Sequence, residues 1–462
     1  MENDRPPRRH LQDAVWAAAR NLGWLLASRG VLAVLSLAYL AIATRTLGPH
    51  DFGRFVLIIG ASQAIAVFVG FQTWQIVVRY GVDHLLAGDE ARLSRLLRAC
   101  AALDAGSAIT GIGLSAGVLL LWGDSFGMHA GLMRDTMLFA FVQLITIRST
   151  ALGVLRLRDR FSLSAVADSM TPVVRFVGAG AASLFMPNLH GFLFAWAAAE
   201  LVSSGTYWLM LVRTGDIRLF GSHARPKGKL LEENPGLIRF ALSTNAASSL
   251  GLGSKQVSTL LVGLYAGPAA AGVFRIAFQV SQGLSKLSQL LARAAFPEIV
   301  RAVRSAGAAE LGRMLRRLFW ASAAAAFVII ALAIPLGRPI LSLVAGHDYA
   351  RAYPLLLWLV AAGCLDLMTV TFEPVLMAAH RAGTALAARA VSTALLLLTT
   401  VLLLPTSGPI GASIGILVGS ASAALLLGLA VLHYARSAAR PAPAKVAEAL
   451  TETQLEGPEN QM

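Results

Sequence analysis

Four polar side chains recur at helical spacing inside the apolar stretch of residues 269–291. They follow one another at i, i+4, i+7 and i+11, which places them on one face of a helix: Arg275, Gln279, Gln282 and Lys286. At ~1.5 Å per residue this stripe extends over about 16 Å, half the thickness of a bilayer's hydrocarbon core. We expect the stripe to line a wet cavity. The alternative, in which its two cations reach opposite membrane interfaces, leaves the two glutamines unexplained.

Two other apolar stretches carry weaker polar patterns. In residues 23–44, Arg29 and Ser36 share a helix face, although Arg29 fits the cytoplasmic interface equally well. In residues 237–263, Lys255 lies far from either end and beside a polar stripe. Hydrogen bonds between helices would explain the stripe, but a lysine suits that role poorly, so a cavity is favoured. The stripe consists of Asn245, Ser249 and Gln256.

Acidic residues inside apolar stretches are candidates for coupling to protons or sodium ions, because a charge in a span normally faces a cavity or a partner. Asp366 and Glu373 share one face of residues 354–378, and a salt bridge to Arg389 is an equal alternative. Asp168 shares a face with Arg175, and pairing of these two is again an equal alternative. Three further charged residues are assigned no role beyond structural pairing: Asp104, Arg148 and Glu200.

The elements that position these residues are membrane spans. The chain is 56% hydrophobic and 14% charged, against roughly 25% charged in soluble domains. Apolar runs of about twenty residues recur from end to end, which is the length of a transmembrane helix. We predict an all-α integral membrane protein with twelve spans, at about 23–44, 54–78, 99–122, 136–155, 164–186, 191–212, 237–263, 269–291, 319–345, 354–378, 384–404 and 409–434.

The distribution of basic residues predicts the orientation of these spans. A net charge of +14 could indicate nucleic-acid binding, but Lys and Arg are divided among short segments between apolar runs. Most fall on the side of the N-terminus, which predicts that both termini are cytoplasmic. The loops on the opposite side are too short for an external catalytic domain. The basic residues in these loops are Arg45, Arg54, Arg134, Arg338 and Arg351.

The sequence contains no pattern that indicates an enzyme. The two cysteines, Cys100 and Cys364, lie in or beside apolar runs, which argues against a metal site or a disulfide framework. The motifs GxxxxGK[ST], HExxH and CxxC do not occur, so neither ATP hydrolysis nor metallopeptidase chemistry is indicated. We expect no cofactor, no metal and no nucleic-acid partner.

An internal repeat divides the chain. The pattern G-P-x-x-x-G-x-F occurs at Gly48 ("GPHDFGRF") and again at Gly267 ("GPAAAGVF"), and "GVLRLRDR" at Gly153 is echoed by "PVLMAAHR" at Pro374 with nearly the same offset. Six spans per copy predict two lobes related by a pseudo-two-fold axis along the membrane normal, with a central cleft. The expected parts are an N-terminal segment (1–22), an N-lobe (23–213), a cytoplasmic linker (214–236), a C-lobe (237–434) and a disordered tail (435–462).

Two segments resemble those of a known family. "TRTLGPHDFGRFVLIIGASQAI" after the first span and "GHDYARAYPLL" before the tenth resemble bacterial polysaccharide/O-antigen flippases, within the multidrug/oligosaccharidyl-lipid/polysaccharide exporter superfamily. The resemblance covers roughly residues 20 to 434. It implies a cleft lined by spans 1, 2, 7 and 8, undecaprenyl-diphosphate-linked oligosaccharide as the substrate, and a bacterial inner membrane location. Glycan polymerase or export machinery is a further candidate partner.

Together these observations predict a flippase for surface polysaccharide synthesis rather than an enzyme. The cations would hold the diphosphate, since Arg and Lys can replace its lost hydration. A drug/cation antiporter of the same superfamily is the alternative, although it requires acids in the cleft; a membrane-embedded polymerase or glycosyltransferase would need larger outside loops. The expected substrate-binding residues are Arg29, Lys255, Arg275, Gln279, Gln282 and Lys286.

Overall fold

The computed structural model describes residues 8–122, 130–221, 229–305, 308–378 and 381–438. All regular secondary structure in these ranges is helical. The α-helices are α1 (Arg8–Val69), α2 (Thr73–Leu86), α3 (Glu90–Trp122), α4 (Ala130–Ile145), α5 (Ser149–Leu157), α6 (Phe161–Phe185), α7 (Leu189–Thr214), α8 (Leu230–Glu233), α9 (Leu237–Ser248), α10 (Ser254–Ser305), α11 (Ala308–Ala345), α12 (Tyr353–Met368), α13 (Phe372–Ala378), α14 (Ala382–Ser407) and α15 (Pro409–Ala438).

The helices confirm the predicted all-α fold class. Within the described residues, eight helical segments are long and apolar enough to cross a membrane. One of them, Val34–Leu86, contains the second predicted span and the C-terminal half of the first. The count of twelve spans and their division into two symmetric lobes stay predictions.

The helix α1 folds back on itself at Gly48, whose backbone leaves the helical region (φ 70°, ψ 174°). Tyr39 and Phe55 lie on either side of this residue, and both contact Trp196, with ring centroids 5.1 and 4.9 Å from that of the indole. In a straight helix, sixteen residues would separate the two rings by ~24 Å. The predicted turn between the first two spans is therefore a reversal made at a single glycine.

The second copy of the motif has the same backbone conformation. Gly267 in α10 has φ 82° and ψ 171°, in the region that only glycine occupies readily. The helix starts that follow the two turns also meet. A methyl group added to Gly53 would overlap the backbone carbonyl of Pro268, and one added to Gly272 would lie 3.1 Å from the Gly53 nitrogen. The repeated pattern therefore marks a point where two backbones touch.

The second repeated segment also recurs as local structure. The Arg160 N–H donates to the Leu155 carbonyl at 2.8 Å, and the Arg381 N–H donates to the Leu376 carbonyl at the same distance. In each copy a three-residue break precedes the segment, between α4 and α5 in the first and between α12 and α13 in the second. The two copies of this segment thus share a backbone hydrogen bond as well as sequence letters.

The chain forms two compact units. The first runs to Val280 and also contains Pro335–Leu356 and Leu397–Gly415; the second contains Ser281–Ile334, Leu357–Leu396 and the residues from Ile416. In the first unit α6 packs along α7, α1 packs on α4 and α6, and α2 packs on α3 and α5. The core of the second unit is formed by apolar residues of α13, α14 and α15, including Val375, Ala388 and Leu427.

A buried carboxylate joins two helix breaks in the first unit. Asp104 of α3 accepts hydrogen bonds from the Thr73 hydroxyl at 2.8 Å, from the Thr150 hydroxyl at 2.6 Å and from the Thr150 N–H at 3.1 Å. Thr73 begins α2 and Thr150 lies in the first turn of α5, where backbone N–H groups have no partner within the helix. Asp104 therefore has a structural role, with threonines rather than a basic residue as its partners.

Replacing Asp104 with Ala is expected to destabilise the protein by about 2–4 kcal/mol, since it leaves the buried Thr150 N–H and two hydroxyls without their acceptor. Asp104→Asn keeps one oxygen acceptor and should cost less. Thermal and chemical unfolding of the detergent-solubilised protein measures both. The matched control is Asp83→Ala on the exposed face of α2, expected to change stability by about 0.5 kcal/mol or less. Equal stability of the Asp104→Ala and control variants would contradict the assigned role.

Candidate functional site

A small polar cavity lies in the first unit, bounded by α1, α6, α7 and α10. Its volume is about 70 Å³, which is room for about two water molecules. Aromatic rings of Phe52, Phe55 and Trp196 form part of the wall. Leu40, Val56, Ile59 and Gly60 also line the cavity. The other half of the lining is polar, which is unusual within predicted spans: Ser36, Tyr39, Gln63, Arg175, Gln256, Arg275 and Gln279.

Arg275 and Gln279 reach this cavity from one face of α10. Their neighbours Phe274, Ile276 and Phe278 are buried against the rest of the unit, and this packing directs the polar face towards the cavity. Among the residues that the structure describes, no acid forms an ion pair with Arg275. A partly buried guanidinium without a carboxylate favours an anion as its partner.

Two glutamines from different helices are hydrogen-bonded in the same cavity. The Gln256 side-chain amide donates to the Gln63 side-chain oxygen at 2.8 Å. This bond leaves the Gln63 amide donors and the Gln256 oxygen for other partners. The cavity therefore offers neutral hydrogen-bonding groups beside its cations, a combination suited to a ligand with both charged and hydroxyl groups.

A buried ion-pair cluster holds the second cation of the cavity. Glu200 of α7 is 3% exposed and binds two arginines, Arg175 of α6 at 2.7 Å and Arg148 at 3.0 Å. Arg175 also lies over the Trp196 ring, 5.4 Å from its centroid. Two guanidinium groups share one carboxylate, so the cluster has a net charge of +1. With Arg275, the region around the cavity has two positive charges in excess.

This cluster was not predicted, although the sequence contains a signal for it. Pairing of Arg175 with Asp168 was one of two alternatives, and it does not form: Arg175 binds Glu200, and Asp168 accepts a hydrogen bond from the Tyr207 hydroxyl. The connection between α6 and α7 is Met186–Asn188, and it contains the midpoint between positions 175 and 200. In a hairpin of two helices, residues equidistant from the turn lie at the same depth, which favours Glu200 as the partner of Arg175.

The predicted binding residues divide into three groups. Arg275 and Gln279 line the cavity, together with Ser36 and Gln256 of the weaker patterns. Gln282 belongs to the second unit. The Ser249 hydroxyl is hydrogen-bonded to the Asn245 side chain and to the Val67 carbonyl of α1, so this part of the polar stripe makes contacts between helices, as one of the two alternatives predicted. The side chains that lie outside the described part of the structure are those of Arg29, Lys255 and Lys286.

The three acids predicted as candidates for ion coupling lie outside the polar cavity. Glu373 of α13 forms a salt bridge with Arg389 of α14 at 3.0 Å, as one of the two alternatives predicted. Asp366 lies on an exposed face of α12 in the second unit. Neither Glu373, Asp366 nor Asp168 lines the polar cavity.

Two solved structures of membrane proteins match this chain over most of its length. A multidrug resistance MATE family transporter of the MOP superfamily, in an inward-facing conformation, matches with a TM-score of 0.64 and 15% identity over 88% of this chain and 94% of its own. The lipid II flippase MurJ, in an inward closed conformation, matches with a TM-score of 0.66 and 12% identity over 89% of each chain. The fold of this chain is therefore the one seen in these two proteins.

Sequence comparison identifies the family within this fold. The family model described as "Polysaccharide biosynthesis protein" matches residues 18–303. Inner membrane protein YghQ of Escherichia coli (strain K12) is 32% identical over 342 residues, which cover 73% of this chain and 95% of that protein. The chain belongs to the polysaccharide biosynthesis protein family, which confirms the resemblance found in the sequence.

Proposed function

We propose that this protein is a flippase that moves undecaprenyl-diphosphate-linked oligosaccharide from the cytoplasmic to the periplasmic leaflet for surface polysaccharide synthesis. The observation that carries the proposal is the cavity in which Arg275 and Arg175 lie beside hydrogen-bonding amides within predicted membrane spans. A diphosphate that leaves the headgroup region loses its hydration, and guanidinium groups can replace that hydration by paired hydrogen bonds. The amides would bind the first sugar or a phosphate oxygen.

The size of the cavity supports transport by alternating access. A volume of about 70 Å³ holds water molecules but not a diphosphate with a sugar attached. Binding therefore requires the surrounding helices to separate, as they would in a cycle between two lobes, 23–213 and 237–434. The apolar isoprenoid chain would stay in the bilayer beside the protein. Coupling of the cycle to an ion gradient is proposed through Asp366, Glu373 or Asp168.

Depletion of the protein from its native host tests the function directly. We expect a lipid-linked oligosaccharide to accumulate with its sugars exposed only to the cytoplasmic side, measured by mass spectrometry of extracted lipids and by access of a periplasmic glycosidase. Purified protein in liposomes should accelerate the movement of the same lipid between leaflets. Accumulation of an incomplete glycan instead would indicate a polymerase or glycosyltransferase. Unchanged lipids together with increased drug sensitivity would indicate an antiporter.

A further inference from the structure

In the Arg148–Glu200–Arg175 cluster, two arginines share one carboxylate. Glu200 binds Arg175 through Oε1 and Arg148 through Oε2, so either arginine alone is able to neutralise it. Only Arg175 lines the polar cavity. The two arginines therefore duplicate each other as partners of the carboxylate and differ in their access to the cavity.

Arg175 also has hydrogen-bonding capacity to spare. A guanidinium has five N–H donors, and Glu200 is bound through Nη2. The Nε–H of Arg175 is buried and has no hydrogen-bond partner within the described structure. A buried donor without an acceptor is unfavourable. The side chain is 15% exposed, against 39% for Arg148, so an anion bound to it would be largely shielded from water.

We propose that Arg175 is a second anion-binding residue of the cavity, facing the same ligand as Arg275, and that Glu200 is the internal counter-ion that positions it. When a diphosphate binds Arg175, Arg148 keeps Glu200 paired, so no buried carboxylate is left without a partner. When the diphosphate leaves, Glu200 neutralises Arg175 again and limits how tightly the anion is held. This inference rests on the proposed function for the identity of the anion, but not for the role of Arg175.

The test compares two arginines that share one carboxylate. Binding of undecaprenyl diphosphate and of inorganic pyrophosphate is measured on the purified full-length protein by a calorimetric titration, for the wild type, Arg175→Gln and Arg148→Gln. Each variant leaves Glu200 with one arginine, so both should fold. We expect Arg175→Gln to weaken binding of the lipid diphosphate at least tenfold and Arg148→Gln to weaken it less than threefold. Arg175→Lys, which keeps the charge, should recover part of the loss.

The Glu200→Gln variant tests whether Glu200 competes with the anion for Arg175, because a purely structural role of Glu200 would not predict tighter anion binding. It removes the competing negative charge but keeps a hydrogen-bond acceptor at the same place, so we expect tighter anion binding, by about threefold to tenfold, and slower release of the lipid in a transport assay. If binding is weaker or unchanged, Glu200 is not a counter-ion that competes with the ligand.

The outcomes separate this inference from the proposed function. Equal weakening by Arg175→Gln and Arg148→Gln, with equal loss of thermal stability, would reduce the cluster to a structural ion pair. Binding of pyrophosphate but not of the lipid, still lost in Arg175→Gln, would keep the role of Arg175 and reject the lipid-linked substrate. A wild type that binds neither probe overturns both.

Discussion

Replacing Arg275 with Ala is expected to reduce transport of the lipid-linked substrate at least about thirtyfold. The reason is that Arg275 lies in a cavity within the spans and has no acidic ion-pair partner in the described part of the chain. Removing one partner of a buried charge pair costs about 2–5 kcal/mol, and the lower limit of that range already corresponds to a factor of about thirty. Arg275→Lys keeps the charge but not the planar fork, so an intermediate loss is expected.

Complementation of a deletion strain, with surface glycan measured by gel and membrane levels by immunoblot, tests this expectation. The matched control is Arg92→Ala, which removes the same charge from an arginine that is 53% exposed and lies outside the cavity. Wild-type glycan is expected from the control. Wild-type glycan from Arg275→Ala, at normal membrane levels, would show that the cavity does not hold the anion.

Adding a single methyl group at Gly53 is expected to destabilise the present conformation by about 1–3 kcal/mol, the usual cost of overpacking. The obstacle is the backbone carbonyl of Pro268, which cannot rotate away as a flexible side chain would. The two helix starts must therefore separate in Gly53→Ala. Because they follow the turns at Gly48 and Gly267, the change should impair transport as well as stability.

A graded series of glycine replacements gives the control. Gly272→Ala meets Gly53 atoms at 3.1 and 3.2 Å and should have a smaller effect than Gly53→Ala. Gly106→Ala on α3 meets nothing within 4 Å and should be neutral or stabilising by up to ~1 kcal/mol, because alanine favours a helix. The expected order of thermal midpoints is Gly106→Ala highest, then Gly272→Ala, then Gly53→Ala. A Gly53→Ala protein as stable as the wild type would show that these backbones are not in contact.

Features that depend on local sequence could be predicted from it. Apolar runs predicted the all-helical fold, and the Gly-Pro pattern predicted the turns at Gly48 and Gly267. The stripe on α10 led to Arg275 and Gln279, because helical spacing alone places residues on one face. The salt bridge between Glu373 and Arg389 could be given only as one of two alternatives, because the two residues lie on different helices.

Features that depend on which helices become neighbours could not be predicted in the same way. Asp104 meets Thr73 and Thr150 only because α3 passes two helix breaks, and no spacing in the sequence marks those breaks. Arg175 and Asp168 are seven residues apart on one helix, which suggested a pair, yet Glu200 on the neighbouring helix is the closer partner. Distances within a helix are fixed by its geometry, whereas contacts between helices are set by packing.

The contact between Gly53 and Gly272 has a consequence for the evolution of the two repeat copies. A side chain at Gly53 would meet the Pro268 carbonyl, and one at Gly272 would meet the Gly53 backbone. A larger residue at either position therefore requires the two backbones to separate, so natural selection should keep both positions small. Just beyond this contact the copies have diverged, with Val56 and Gly60 in the first where the second has Arg275 and Gln279. In proteins of this family, the amino-acid sequence should therefore change slowly at the two contact positions. It should change faster one helical turn beyond them, where substrate preference can evolve without loss of the fold.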